Sequence, residues 1–121
     1  MVAMLTSTAT GKSMTCLVQL DSGADQCVFP ATFMGPLGLD LLKMKMQFTG
    51  GVGCQANPTY YETIHIKIVT PPSTSLSFTL YAGFTPGLDA HGMGLMGQLG
   101  FFENCQVAFD LANKQFHIDV P

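Results

Sequence analysis

The sequence predicts a single all-β domain spanning residues 1–121. Apolar and polar residues alternate in several short runs, which is the period of a strand with one buried face. Thirteen glycines and seven prolines separate these runs as turns. No segment keeps helical spacing for more than a few turns. A chain of this length with 47% hydrophobic residues can bury one core, so one domain is expected.

The first half of the chain predicts a strand, a turn and a hairpin. Residues 12–19 have strand character and run into Asp21, where a nearby glycine permits a sharp reversal. Residues 31–42 contain two glycines and a proline, which limit that stretch to a short helix or an irregular loop. Residues 43–48 alternate in polarity and lead to a glycine-rich tip, so a β-hairpin returning to Tyr61 is expected.

The second half predicts further strands and one short helix. Residues 61–69 place three isoleucines on one face and polar residues on the other, which is typical of a half-buried strand. Another apolar strand and a turn follow, and residues 98–104 are expected to form a short C-terminal helix. The predicted later strands cover residues 75–84, 105–110 and 114–120.

Composition excludes several classes of function. The formal charge is −3 and the five lysines are scattered, so no nucleic-acid partner is expected. No apolar run is long enough to cross a membrane, and no membrane partner is expected. The cysteines are too widely spaced for a metal site, which predicts buried thiols in a reducing, cytoplasmic protein without a cofactor. They are Cys16, Cys27, Cys54 and Cys105.

The chemistry of the chain centres on Asp21-Ser22-Gly23, which follows an apolar strand. Acid proteases use this arrangement to present a carboxylate. The tripeptide alone is a weak signal, because an Asx-type turn after a strand gives the same residues. Two other features follow in the chain, the glycine-rich hairpin tip Gly50-Gly51-Val52-Gly53 and the apolar Leu95-Met96-Gly97.

Taken together, these motifs resemble the retropepsin-like aspartic proteases, including single-domain bacterial members. The resemblance covers most of the chain. Asp21-Ser22-Gly23-Ala24-Asp25 matches the family's catalytic motif, and Gly50-Gly51-Val52-Gly53 matches its flap tip. Leu95-Met96-Gly97 matches the second motif, and Thr85-Pro86 resembles the loop that precedes it.

The resemblance implies an acid-protease half-barrel with a flap hairpin and one short C-terminal helix. It implies an aspartic endopeptidase that acts as a homodimer, without a metal or cofactor, on extended peptides or proteins with apolar residues at the scissile bond. Asp21 is then catalytic, and Ser22 and Gly23 complete its motif. The implied substrate-binding residues are Ala24, Asp25, Gly50, Gly51, Val52, Pro86 and Leu95. The family interleaves its terminal strands, for which residues 2–6 and 115–120 are the candidates.

Two positions depart from the family's pattern. Viral members often carry an arginine after the second-motif glycine, paired with the carboxylate that corresponds to Asp25. This chain has Gln98 there and no arginine, so Asp25 must be held differently. Ser22 replaces the commoner threonine but keeps the hydroxyl.

Three other interpretations compete with a dimeric protease. The chain could be a catalytically weak module of the same fold that binds peptides or assembles larger proteins. It could be one lobe of a two-lobed enzyme, although the chain lacks the length and the second Asp-Thr/Ser-Gly that this needs. It could also be a small β-barrel that binds another ligand as a monomer.

Overall fold

The structure is a computed structural model that describes residues 1–21, 23–50, 56–70, 74–99, 101, 106–110, 112 and 115–119. The fold is mostly β, as predicted, with one short α-helix in the described part, α1 (Met34–Leu37). None of the described helices has the length and apolar character that a membrane crossing requires. The strands are β1 (Val2–Ser7), β2 (Ser13–Leu20), β3 (Val28–Pro30), β4 (Lys45–Gly50), β5 (Ala56–Thr70), β6 (Thr74–Thr85), β7 (Gly94–Met96), β8 (Gln106–Asp110) and β9 (Gln115–Asp119).

Six of these strands close into a barrel in the order β1, β2, β7, β3, β6, β5, with β5 returning to β1. Leu5 of β1 pairs with Met14 on one side and with Ile66 on the other. Because both edges of β1 are occupied, neither can accept a strand from another chain. The barrel is therefore closed rather than half-open, and residues 2–6 are wrong as a candidate intermolecular strand.

The long strand β5 changes partners along one edge. Its first part pairs with β4, from Gly50 opposite Ala56 to Lys45 opposite Tyr61. Its second part pairs with β1 instead, beginning at Ile64. Strand β6 pairs with the other edge of β5 from Tyr60 to Thr70. The predicted hairpin is thus confirmed as β4–β5, and it extends beyond the barrel ring.

Alternation along β5 builds the core inside the barrel. Ile64, Ile66 and Ile68 are fully buried, which confirms the period of two predicted over residues 61–69. Phe29 and Phe84 are also fully buried, with ring centroids 5.6 Å apart. Burying one side chain of this size stabilises the fold by roughly 1.5–3 kcal/mol. The core therefore holds β3, β5 and β6 together from the inside.

Short helical turns connect β3 to β4, in agreement with the prediction for residues 31–42. Helix α1 ends because Gly38 follows it in the left-handed conformation, with φ of 67°. The Gly38 N–H closes onto the carbonyls of Gly35 and Met34. Met34 and Leu37 face the core, whereas Gly35 is exposed.

The C-terminal part agrees with its prediction in the two strands and not in the described positions of the helix. Within the expected helix at residues 98–104, Gln98 and Phe101 lie in turns and Leu99 forms a β-bridge with Gln26, while the other positions lie outside the described residues. The Leu99 N–H donates to the Asp25 carbonyl, which joins this segment to the Asp21 turn. The strands expected near the C-terminus are β8 and β9, which pair antiparallel in a separate two-stranded sheet.

Candidate active site around Asp21

Asp21 stands where β2 leaves the barrel. Its N–H donates to the Met96 carbonyl at 3.0 Å, and its own carbonyl accepts from the Ala24 N–H at 3.1 Å. Outward-facing positions of β2, such as Leu17 and Gln19, are exposed, and Asp21 continues that series as a half-buried residue. The turn therefore presents the carboxyl group on the outer face of the barrel. Ser22, predicted as part of this motif, lies outside the described residues.

Strand β7 lies between the two strands that the Asp21 turn connects. It runs parallel to β2, with Leu20 opposite Met96, and antiparallel to β3, with Val28 opposite Leu95. The Asp21 turn must therefore cross the end of β7 to reach β3. Because β7 pairs with both β2 and β3, it supports the turn on both sides.

The need for a glycine at position 97 follows from this crossing. A Cβ there would overlap the Gln26 carbonyl and would lie 2.7 Å from the Ala24 oxygen. Directly after it, the Gln98 N–H donates to the Ala24 carbonyl at 2.9 Å. The Leu99 N–H donates to the Asp25 carbonyl, also at 2.9 Å. The backbone of the second motif thus packs against the backbone of the first.

The Asp21 carboxylate is itself held by the turn. Its Oδ1 accepts a hydrogen bond from the Gly23 N–H at 3.0 Å. A Cβ at Gly23 would lie 3.3 Å from the same oxygen, so a larger residue would crowd the carboxylate. The result is a partly exposed carboxylate with a fixed orientation, which suits a general base or a hydrogen-bond acceptor. Asp25 is exposed in the same turn.

A partly apolar surface adjoins Asp21 on the outer face of the barrel. Strand register places Gln19 beside Leu95, Leu95 beside Val28, and Val28 beside Gly83. Leu95 and Val28 are half-buried, so they offer apolar contact area without being sealed in the core. The structure thus brings Leu95, predicted to bind substrate, onto the same face as Asp21.

The remaining predicted site residues are placed less closely around the turn. Gly50 is the last paired residue of β4, and Gly51 and Val52 lie outside the described residues. Pro86 begins a 3-10 turn after β6, next to Thr85, which pairs with Pro30 at the far end of β3. Since the Asp21 turn adjoins the opposite end of β3, the structure does not join Pro86 to it.

Sequence analysis did not assign two residues near the turn, Tyr61 and Cys27, to the site. The Tyr61 hydroxyl donates to Oε1 of Gln26 at 2.6 Å, although Tyr61 belongs to the hairpin strand. The Cys27 thiol donates to the Leu99 carbonyl at 3.4 Å. Neither contact has a local signature, because each joins segments far apart in the chain. That Tyr61 lies opposite Gly83 could not be known from the sequence either, because it depends on the register between β5 and β6.

The described residues contain no group of three His, Cys, Asp or Glu side chains that could hold a metal ion. No protein-family model matches the sequence, and no curated protein matches it. Functional interpretation therefore depends on the motifs and on the geometry around Asp21.

Proposed function

We propose that this chain is an aspartic endopeptidase that works as a homodimer, in which Asp21 from each copy forms the catalytic pair. One observation carries the proposal. A partly exposed carboxylate, oriented by the Gly23 N–H, sits on a turn that β7 holds by backbone pairing from both sides. A turn supported in this way is expected where catalysis requires a carboxylate in one fixed orientation. The similarity of the motifs to retropepsin-like proteases supports the same activity.

The mechanism requires two carboxyl groups. One carboxylate accepts a proton from the attacking water while a neighbouring carboxylic acid polarises the peptide carbonyl. Each chain supplies one Asp21 on its turn, so a two-fold axis would bring in the second. Two carboxyl groups a few ångströms apart share one proton because both cannot readily ionise. The pair then titrates as a unit, and activity is expected to peak below neutral pH.

The substrate is proposed to be an extended peptide that lies along the outer face beside Asp21. Leu95 and Val28 provide half-buried apolar surface there, which favours apolar side chains at the scissile bond. Ala24 and Asp25 border the same turn and would meet the substrate backbone. The β4–β5 hairpin would cover the bound peptide with its tip, including Gly50, Gly51 and Val52, and exclude water.

The two-stranded C-terminal sheet is the proposed dimer contact. Strand β9 pairs with β8 on one edge, and no described strand pairs with its other edge. A second copy could extend that sheet, in keeping with the expectation for residues 115–120.

The proposed compartment is the reducing cytoplasm. Cys16 and Cys27 occur as thiols, which supports this proposal.

Cleavage and oligomeric state should be measured on the same preparations between pH 4 and 7. Asp21→Asn is expected to remain dimeric and folded but to lower kcat/KM by roughly 10²–10⁴-fold, the usual contribution of a general acid or base. Asp40→Asn is the matched control, because Asp40 only caps a distant 3-10 turn through the Leu42 N–H and asparagine can do the same. The control should keep wild-type activity.

The alternative outcomes are informative. A dimer that binds extended peptides without cleaving them at any pH would favour the binding or assembly module. A strict monomer without cleavage would favour the small ligand-binding barrel. Activity that rises steadily to pH 9 would contradict a proton-sharing carboxyl pair.

A further inference from the structure

Tyr61 is buried on the side of the sheet that faces away from the core. The core-facing positions of β5 are the even-numbered ones, including Tyr60 and Ile64. Tyr61 points to the other face, where a strand residue is normally exposed, yet only 5% of its surface is accessible. A separate set of neighbours must therefore cover it.

Those neighbours form a small cluster outside the barrel. Tyr61 lies opposite Gly83, where a Cβ would come within 3.1 Å of its Cε1. The missing side chain of Gly83 leaves room for the ring, and the Tyr81 ring stacks on it at 5.3 Å with planes 16° apart. The phenol is thus fixed in position by packing before its hydroxyl makes any hydrogen bond.

The hydroxyl then connects two parts of the proposed site. It donates to Oε1 of Gln26 at 2.6 Å. Gln26 follows Asp25 directly, bridges to Leu99, and has its carbonyl packed where a side chain at Gly97 would be. Gln26 is therefore anchored to the Asp21 turn by its backbone and to β5 by its side chain.

Tyr61 also marks the base of the projecting hairpin. It is the last β5 residue paired with β4, opposite Lys45, before β5 turns to β1 at Ile64. A constraint at this position sets the direction in which β4 and the first part of β5 leave the barrel.

We infer that Tyr61 is a positioning residue which, through Gln26, fixes the hairpin base to the Asp21 turn and thereby sets where the paired parts of β4 and β5 lie relative to a peptide bound at that turn. The inference rests on the proposed protease function for its consequence on substrate, but the mechanical connection stands on its own contacts. Burial, with a contribution from Tyr81, raises the pKa of Tyr61. The phenol therefore remains a donor across acid and neutral pH.

Kinetics of Tyr61→Phe test the inference, with Tyr60→Phe as the matched control on the core-facing side. Loss of the hydroxyl should raise KM about fivefold, the size expected for one hydrogen bond. The kcat value should stay within about twofold, and the pH profile should be unchanged, because the carboxyl pair is untouched. Gln26→Ala should raise KM similarly, and the double variant should add little, since both changes remove the same contact. Lower kcat at unchanged KM would instead indicate a smaller folded fraction and would overturn the inference.

Hydrogen exchange supplies a readout that does not need cleavage. In Tyr61→Phe, the amides of β4 should exchange faster than in the wild type, while those of β1 should not change. One outcome is that the wild type cleaves no peptide while the β4 amides of Tyr61→Phe still exchange faster. In that case the protease proposal fails and the positioning role stands. If the wild type cleaves peptides and the variant matches it in both KM and exchange, the positioning role fails alone.

Discussion

Replacing Gly97 by alanine is expected to damage the fold at the Asp21 turn. The added Cβ would overlap the Gln26 carbonyl and approach the Ala24 oxygen, and both are backbone atoms that cannot rotate away. Overpacking of this kind costs roughly 1–3 kcal/mol. Separating the segments would also weaken the hydrogen bonds from the Gln98 and Leu99 N–H groups, at about 1 kcal/mol each. The free energy of unfolding should therefore fall by roughly 3–5 kcal/mol.

Urea denaturation followed by circular dichroism measures this loss. With an m-value of about 1.5–2 kcal/mol per molar urea, the midpoint should fall by about 2 M. Gly35→Ala is the control, because a Cβ at Gly35 meets no atom within 4 Å apart from its own chain neighbours. The gain in helix propensity is opposed by the following Pro36, so that variant should change the free energy of unfolding by less than about 1 kcal/mol. If Gly97→Ala unfolds within about 0.5 kcal/mol of the wild type, the close crossing of β7 under the Asp21 turn is wrong.

Two further predictions concern the barrel itself. Leu37→Ala should lower the free energy of unfolding by about 2–5 kcal/mol because Leu37 is fully buried, whereas Leu42→Ala, at a residue 95% exposed, should change it by less than about 0.5 kcal/mol in the same denaturation assay. Burial raises the pKa of the Cys16 thiol to about 11, so the protonated form is favoured in the folded state. Its stabilising contribution is then fully present below the unfolded pKa and is lost as pH rises toward 11, and Cys16→Ala should flatten the decline in stability measured between pH 9 and 11. An equally steep decline in both proteins would contradict this assignment.

Local patterns were enough to predict part of the fold and the site. Alternation identified the barrel half of β5, because burial on one face imposes a period of two whatever the neighbouring strands are. Glycine-rich turn chemistry similarly identified the β4–β5 hairpin and the reversal after Asp21.

Non-local contacts account for what the sequence could not predict. The closure of β1 onto β5 depends on register between distant strands, which composition does not encode locally. Of the residues 98–104 where a helix is expected, the described Leu99 instead forms a β-bridge with Gln26, which is far away in the sequence. Tyr61 is buried on an outward-facing position, where Gln26 and Tyr81, both distant in the sequence, contact it.

The insertion of β7 between β2 and β3 also constrains the order in which the chain folds. Leu20 pairs with Met96, and most of the chain lies between them. During synthesis, β2 and β3 emerge from the ribosome well before β7, so β7 can pair with them only later. Long-range pairings of this kind form slowly because the loop must close before the contact is gained. The Asp21 turn therefore gains its backbone support from β7 only after residues 94–96 have been made and have paired with β2.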